Sequence, residues 1–240
     1  MTICKKCGHE SEGNYCSNCG HQNKLSRINK QYVLNEIGSV LNFEKGILYS
    51  IRELIIRPGK SIKEFILEDR KRLVKPIIFI IICSLVYTVI IQTFHIEDNY
   101  VNYNSSKNTA TTSIFKWIQE NYGYANILMS VFIALWTKIF FKKYNYNFFE
   151  ILILLCFIMG IGMLIFSLFA FIEGITKLSI MQVASAVGII YSSWAIGQFF
   201  ENKKIINYFK AFASYMLGFI TFSLSALILG FVIDFIIQSK

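Results

Sequence analysis

Five apolar runs, at 77–94, 124–141, 151–172, 178–200 and 211–233, constrain this chain more than any other feature of it. The shortest hold 18 residues, about 27 Å of helix at 1.5 Å per residue, enough to cross a hydrocarbon core of about 30 Å. They are continuously apolar instead of alternating every second residue, which points to helices and away from barrel strands. Only Lys138 interrupts them. Charged residues make up 16% of the chain, well below the roughly 25% of a soluble domain. The expectation is an all-α polytopic membrane protein of five transmembrane helices.

Lysine and arginine give the five spans a direction. With the N-terminus inside, the inner flanks hold Arg57, Lys60, Lys63, Arg70, Lys71, Arg72, Lys75, Lys138, Lys142, Lys143, Lys203, Lys204 and Lys210. The outer segments hold only Lys107, Lys116, Lys177 and Lys240. That bias predicts a cytoplasmic N-terminus and an external C-terminus. No apolar stretch precedes the head, so the first span is expected to serve as an uncleaved signal anchor. The long loop at 95–123 then faces outward, with a short interfacial helix over 113–122 anchored by Phe115 and Trp117.

No acidic or basic residue stands in the middle of a span; Glu150, Glu173 and Asp234 fall at ends. Intramembrane charges mark proton relays and ion paths, and their absence argues against a charge-relay transporter. Gln182 and Gln198 are large polar groups within the spans, and we expect them to hydrogen-bond between helices. Small residues recur four apart at Ala184, Gly188 and Ser192, at Ser193 and Gly197, and at Ala226 and Gly230. Such spacing suits close helix packing, within one bundle or between copies in a homo-oligomer.

The specific chemical signal lies at the start of the chain, in Cys4-x2-Cys7-Gly8 and Cys16-x2-Cys19-Gly20. Two residues between paired cysteines let both sulfurs reach one ion at about 2.3 Å, and four thiolates complete a closed tetrahedron. A glycine after each pair permits the positive φ that turns backbone N–H groups toward sulfur. Some twenty residues cannot bury a core of their own, so the metal must supply the fold. In a reducing cytoplasm the thiols favour metal over disulfides. Iron also suits four thiolates; zinc, in a structural role, is the expected cofactor. His9 and His21 follow the pairs and are expected outside the ligand set. Lys5, Lys6, Lys24, Arg27 and Lys30 make the head basic, but Tyr15 is its one aromatic platform, so nucleic acid is not the expected partner.

Between head and membrane, apolar residues recur at helical spacing: Val33, Ile37, Val40 and Leu41, then Ile47, Leu48, Ile51, Leu54 and Ile55. Two short amphipathic helices are expected, the second ended by Pro58-Gly59. Ser61 and Glu64 then read as a capping box, opening a helix with Ile62, Phe65, Ile66 and Leu73 on one side. Arg57, Arg70, Lys71, Arg72 and Lys75 are expected to lie at the membrane surface, where each basic residue near an anionic leaflet contributes about 1 kcal/mol. The organisation is thus a zinc ribbon at 1–24, amphipathic juxtamembrane helices at 25–75 and a five-helix bundle at 76–240.

These features carry a resemblance. Two Cys-x2-Cys-Gly knuckles, the segment Leu54-Ile55-Ile56-Arg57-Pro58-Gly59-Lys60-Ser61-Ile62-Lys63-Glu64-Phe65-Ile66, and Arg70-Lys71-Arg72-Leu73-Val74-Lys75-Pro76 resemble domain-of-unknown-function family 3667. The resemblance covers residues 1–90. Glu68-Asp69 stands where that family usually has a glycine before the basic run. It implies a bacterial zinc-ribbon membrane protein, hence the bacterial cytoplasmic (inner) membrane, and implies no activity. The expected function is a non-enzymatic adaptor or scaffold, in contact with the lipid bilayer and a cytoplasmic protein. The alternative is a transporter or lipid-handling protein with a cavity between spans three, four and five, lined by Gln182, Ser192 and Gln198. An enzyme would have to draw on Glu150, Glu173, Asp234 and His95, which fall on different loops.

Overall fold

A computed structural model of the chain describes residues 2–4, 7–11, 13, 15–20, 46–94, 96, 109–201 and 203–238. The chain divides into two compact units, 1–41 and 42–240. The expected helix around Val33–Leu41, the histidines His21 and His95, and the basic residues Lys5, Lys6, Lys24, Arg27 and Lys30 lie outside the described residues.

The first unit contains a two-stranded antiparallel ribbon, β1 (Thr2–Ile3) against β2 (Glu10–Ser11), with Thr2 opposite Ser11 and Ile3 opposite Glu10. The second unit is helical. A hairpin of α1 (Ile47–Ile56) and α2 (Pro58–Leu67) precedes α3 (Pro76–Phe94), α4 (Ala110–Glu120), α5 (Tyr122–Phe140), α6 (Phe148–Thr176), α7 (Met181–Glu201) and α8 (Ile205–Gln238). Five of these, α3 and α5 to α8, are long and apolar enough to cross a membrane.

Burial sorts the spans. In α6 61% of the most apolar window is buried inside the protein, against 11% in α8, so α6 is the centre of the bundle and α8 its rim. Parallel to α6 runs α3: Phe79 meets Phe157 near one end, with ring centroids 5.6 Å apart, and Phe94 meets Phe171 near the other, at 5.7 Å. The exposed flanks of α8, such as Phe219, Ile228, Phe231 and Phe235, are apolar, the surface a helix presents to lipid.

Two spans are longer than their apolar runs. At 29 and 34 residues, α6 and α8 extend about 44 and 51 Å. The excess has a local cause in α6: Asn147 and Glu150 form a capping box, Asn147 Oδ1 accepting from Glu150 N at 2.9 Å and Glu150 Oε2 from Asn147 N at 2.7 Å. That cap starts the helix before its uncharged stretch begins.

The outer helix is also different from the expected one. It begins at Ala110, capped by Thr109, and leads almost directly into α5. It packs along α8, whose Asp234 accepts from Ala110 N at 2.6 Å and from the Thr111 hydroxyl at 3.1 Å. The small-residue spacing is used inside the chain: Gly188 faces Phe166, Gly197 faces Tyr208 and Gly230 faces Thr111.

Candidate metal centre and bundle cavity

In the head, all four cysteine sulfurs lie within 4.8 Å of one another. Cys4 and Cys19 are 3.6 Å apart at sulfur, as are Cys7 and Cys16. A thiolate tetrahedron with metal–sulfur bonds of about 2.3 Å has edges of about 3.8 Å, so the group is sized for one ion. Each pair forms the same turn. Gly8 N donates to Cys4 O and Gly20 N to Cys16 O, both at 2.9 Å, and the two glycines have φ of +73° and +67°. A β-carbon is disfavoured in that left-handed conformation, which explains glycine after both pairs. The backbone N–H of Cys19 draws the Cys16 thiol down to about 6, toward the thiolate that a metal requires. His9 meets this site through its backbone, its carbonyl accepting from Cys4 N at 3.0 Å. The arrangement can bind a metal ion with four thiolates and leaves no protein-free position.

The hairpin is built around one buried carboxylate. Glu53 takes a two-pronged contact from Arg57, at 2.9 and 3.0 Å, and accepts from the Ser61 hydroxyl at 2.9 Å and from Arg72 at 3.2 Å. Arg72 also pairs with Glu64 and donates to the Tyr49 hydroxyl at 3.2 Å. Burial opposes charge on Glu53, but the Arg57 and Ser61 hydrogen bonds and the Arg72 charge outweigh it and hold the carboxyl below its usual value. The expected Ser61–Glu64 capping box is therefore absent. Pro58 at the first helical position starts α2 four residues earlier, with Arg57 as its cap, and both side chains serve the ion cluster instead. Of the five basic residues expected at the membrane surface, Arg57 and Arg72 are held in this cluster; Arg70, Lys71 and Lys75 are exposed.

The hairpin is fastened to the bundle. Ile62, Phe65, Ile66 and Leu73 are buried in one core with the spans, Phe65 edge-on to Phe157 at 5.2 Å. The Tyr191 hydroxyl on α7 donates to Leu54 O at 3.0 Å, and Lys63 donates to Phe200 O at the end of α7, at 3.4 Å. Gly59 lies against the α7 backbone: a β-carbon there would come within 2.4 Å of the Gln198 carbonyl carbon. Gln198 accepts from Gly59 N at 3.4 Å, so it joins the span to the hairpin. Gln182, by contrast, is exposed in the first turn of α7.

Under the hairpin, Phe141 stacks on Phe200 at 3.9 Å, and Tyr144 donates to Glu201 at 2.8 Å. The end of α5, the start of α6, the end of α7 and the start of α8 thus share one end of the bundle with the hairpin. All thirteen cations of the inner set lie on these elements or the segments joining them, whereas Lys116 and Lys177 are the described lysines on the outer segments.

The three carboxylates at span ends serve helix starts. Glu150 caps α6, Asp234 caps α4, and Glu173, 5% exposed, accepts from Ile180 N at 2.9 Å and Met181 N at 3.2 Å at the start of α7. Negative charge at a helix N-terminus is favourable.

A cavity of about 320 Å³ lies among α5, α6, α7 and α8, with Ile118 of α4 also lining it. Its walls include Asn126 and Met129, Met159, Gly162 and Met163, Ser185 and Ser192, and Tyr215, Met216 and Phe219. Of the residues expected to line a cavity, only Ser192 does. Gln198 is drawn to the hairpin and Gln182 faces outward, while α5 contributes a wall that the three-span expectation omitted. A sequence signal for the cavity existed. Four of the chain's six methionines line it, and unbranched thioethers adapt to irregular space.

No curated protein and no solved structure matches the chain. Residues 44–88 match the model of a family described as "Protein of unknown function (DUF3667)". The match begins after the cysteine cluster and covers the hairpin, its ion cluster and the first two thirds of α3. Over that segment the chain is similar to the DUF3667 family, whose description assigns no function.

Proposed function

We propose that the protein is a non-enzymatic membrane scaffold whose head is a structural zinc ribbon that recruits a cytoplasmic protein. The observation that carries this reading is the closed four-thiolate group: four protein ligands fill a tetrahedron, which suits structure and leaves no position for a substrate. Zinc fits because it needs only tetrahedral thiolates and brings no redox chemistry. The reading gains support from the carboxylates that an enzyme would need, since Glu150, Glu173 and Asp234 are each engaged at a helix start. The thirteen cations on one set of flanks support a cytoplasmic N-terminus and an external C-terminus in a bacterial inner membrane.

The test is crosslinking and copurification from native membranes, comparing the intact chain with Cys16→Ser, Cys19→Ser. A cytoplasmic protein recovered only with the intact head is the expected result. Equal recovery with both forms contradicts the scaffold reading.

A second reading, a lipid-handling or transport protein, is favoured by the cavity alone. Movement of labelled lipid between leaflets of reconstituted vesicles, dependent on the chain, is its test.

A further inference from the structure

We infer that the cavity among α5–α8 is a binding site for one acyl chain of a bilayer phospholipid, entered sideways between α7 and α8. The inference rests on the lipid-handling reading only for the kind of ligand; it requires binding and no transport.

Position comes first. The lining residues of α6 run from Met159 to Phe166 and those of α8 from Tyr215 to Phe222, the middle stretches of two helices that cross the bilayer. What surrounds the cavity at that depth is acyl chain. Shape is the second point. Helices α5, α6, α7 and α8 each contribute lining over eight residues, as from Tyr122 to Met129 and from Ser185 to Ser192, about 10 Å of axis. A volume of about 320 Å³ is at the small end of ligand cavities, which suits a single flexible chain.

Access and chemistry agree with this. Ser185 on α7 is exposed and Phe219 on α8 is 48% exposed, whereas Met163 and Ser192 are 1% and 2% exposed. The cavity therefore has a rim on the lipid-facing surface and a closed floor. Methionines at Met129, Met159, Met163 and Met216 give that floor the adaptability that a mobile chain needs. Among the described residues no lysine, arginine or histidine lines the cavity. A free fatty acid would bring a carboxylate with no counter-charge to hydrocarbon depth, which is costly. A phospholipid keeps its charged headgroup at the interface and inserts only the chain.

Gly162 supplies the test. It lines the cavity, and a β-carbon added there meets nothing within 4 Å. Gly162→Leu therefore enters the cavity from a β-carbon that meets open space, and it improves helix propensity. Ser185→Trp obstructs the rim from an exposed position. The full chain is reconstituted in phosphatidylethanolamine–phosphatidylglycerol vesicles containing a phospholipid with a diazirine on one acyl chain, irradiated, and mapped by mass spectrometry. Label on Met163 or Met216 is expected in the wild type and is expected to fall about tenfold or more in either variant, with label on lipid-facing Ile190 and Phe231 unchanged. Cavity label no greater than that on Ile190, or unaffected by both variants, overturns the inference. A diazirine fatty acid in a parallel arm that labels the cavity where the phospholipid does not overturns the choice of phospholipid. Cavity label without lipid movement in the same vesicles overturns lipid handling as an activity and leaves the binding site standing.

Discussion

The ribbon and the hairpin both precede the first span, both are too small to fold alone, and they solve that problem in opposite ways. The ribbon gathers four sulfurs around one point and buries little else: Ile3 and Tyr15 are 68% and 63% exposed. The hairpin gathers Arg57, Ser61 and Arg72 around Glu53 and then gives its apolar side to the bundle, with Leu54 and Ile62 fully buried. One is a unit held by coordination; the other is a part of the membrane domain. The lesson is that the juxtamembrane segment, amphipathic by pattern, can be claimed by protein as readily as by lipid. Here the claimant is α7.

The largest expected effect breaks the ribbon alone. Structural metal sites of this kind contribute about 10–16 kcal/mol of folding energy, so a strong chelator should expose Cys4, Cys7, Cys16 and Cys19 to a thiol-alkylating reagent. Cys83 and Cys156, 1% and 8% exposed in the spans, should stay unmodified. Alkylation of all six at one rate would erase the distinction between the two regions.

Next comes the hairpin's seat. Gly59→Ala forces a β-carbon into the backbone of α7, and overpacking of that kind should cost about 3 kcal/mol. Hydrogen exchange should quicken in α1 and α2 while α6 keeps its protection. Unchanged exchange would show that the hairpin is not seated on α7.

Glu53→Gln is a smaller change. Arg57 and Arg72 side chains are 42% and 27% exposed, so water relieves part of the loss, and about 1–3 kcal/mol is expected. The pH dependence has a definite sign. The folded carboxyl lies below its usual value, so its contribution is complete above the unfolded value of about 4.3 and disappears as pH falls through the lower folded value. Hairpin protection should be flat from neutral pH to about 5 and decline below about 4, and Glu53→Gln should lack that decline. Tyr191→Phe removes one hydrogen bond to Leu54 O and should cost about 1 kcal/mol, read as a small rise in α1 exchange.

Much of this was legible in the sequence, because hydropathy and cysteine spacing are local. The five spans and the four sulfurs follow from stretches read in isolation. Pro58-Gly59 was legible only in part: it does stop α1, but the need for glycine comes from α7, some 140 residues away. Ser61 and Glu64 have capping-box spacing, yet Glu53 and Arg72 draw both away once the hairpin folds. Gln198 was read as a contact between spans and instead reaches the hairpin. The cavity was invisible to any count of polar residues in spans, since its walls are mostly apolar side chains contributed by five separate helices.

The most direct test of a metal-held head that is independent of the packed hairpin and bundle is metal analysis together with thermal unfolding, on the purified full chain and on Cys16→Ser, Cys19→Ser. One zinc per chain in the first, none in the second, and the same melting temperature for the helical bundle in both is the predicted result. Iron in the intact chain, no bound metal, or a bundle whose melting falls with loss of the cysteines would contradict it.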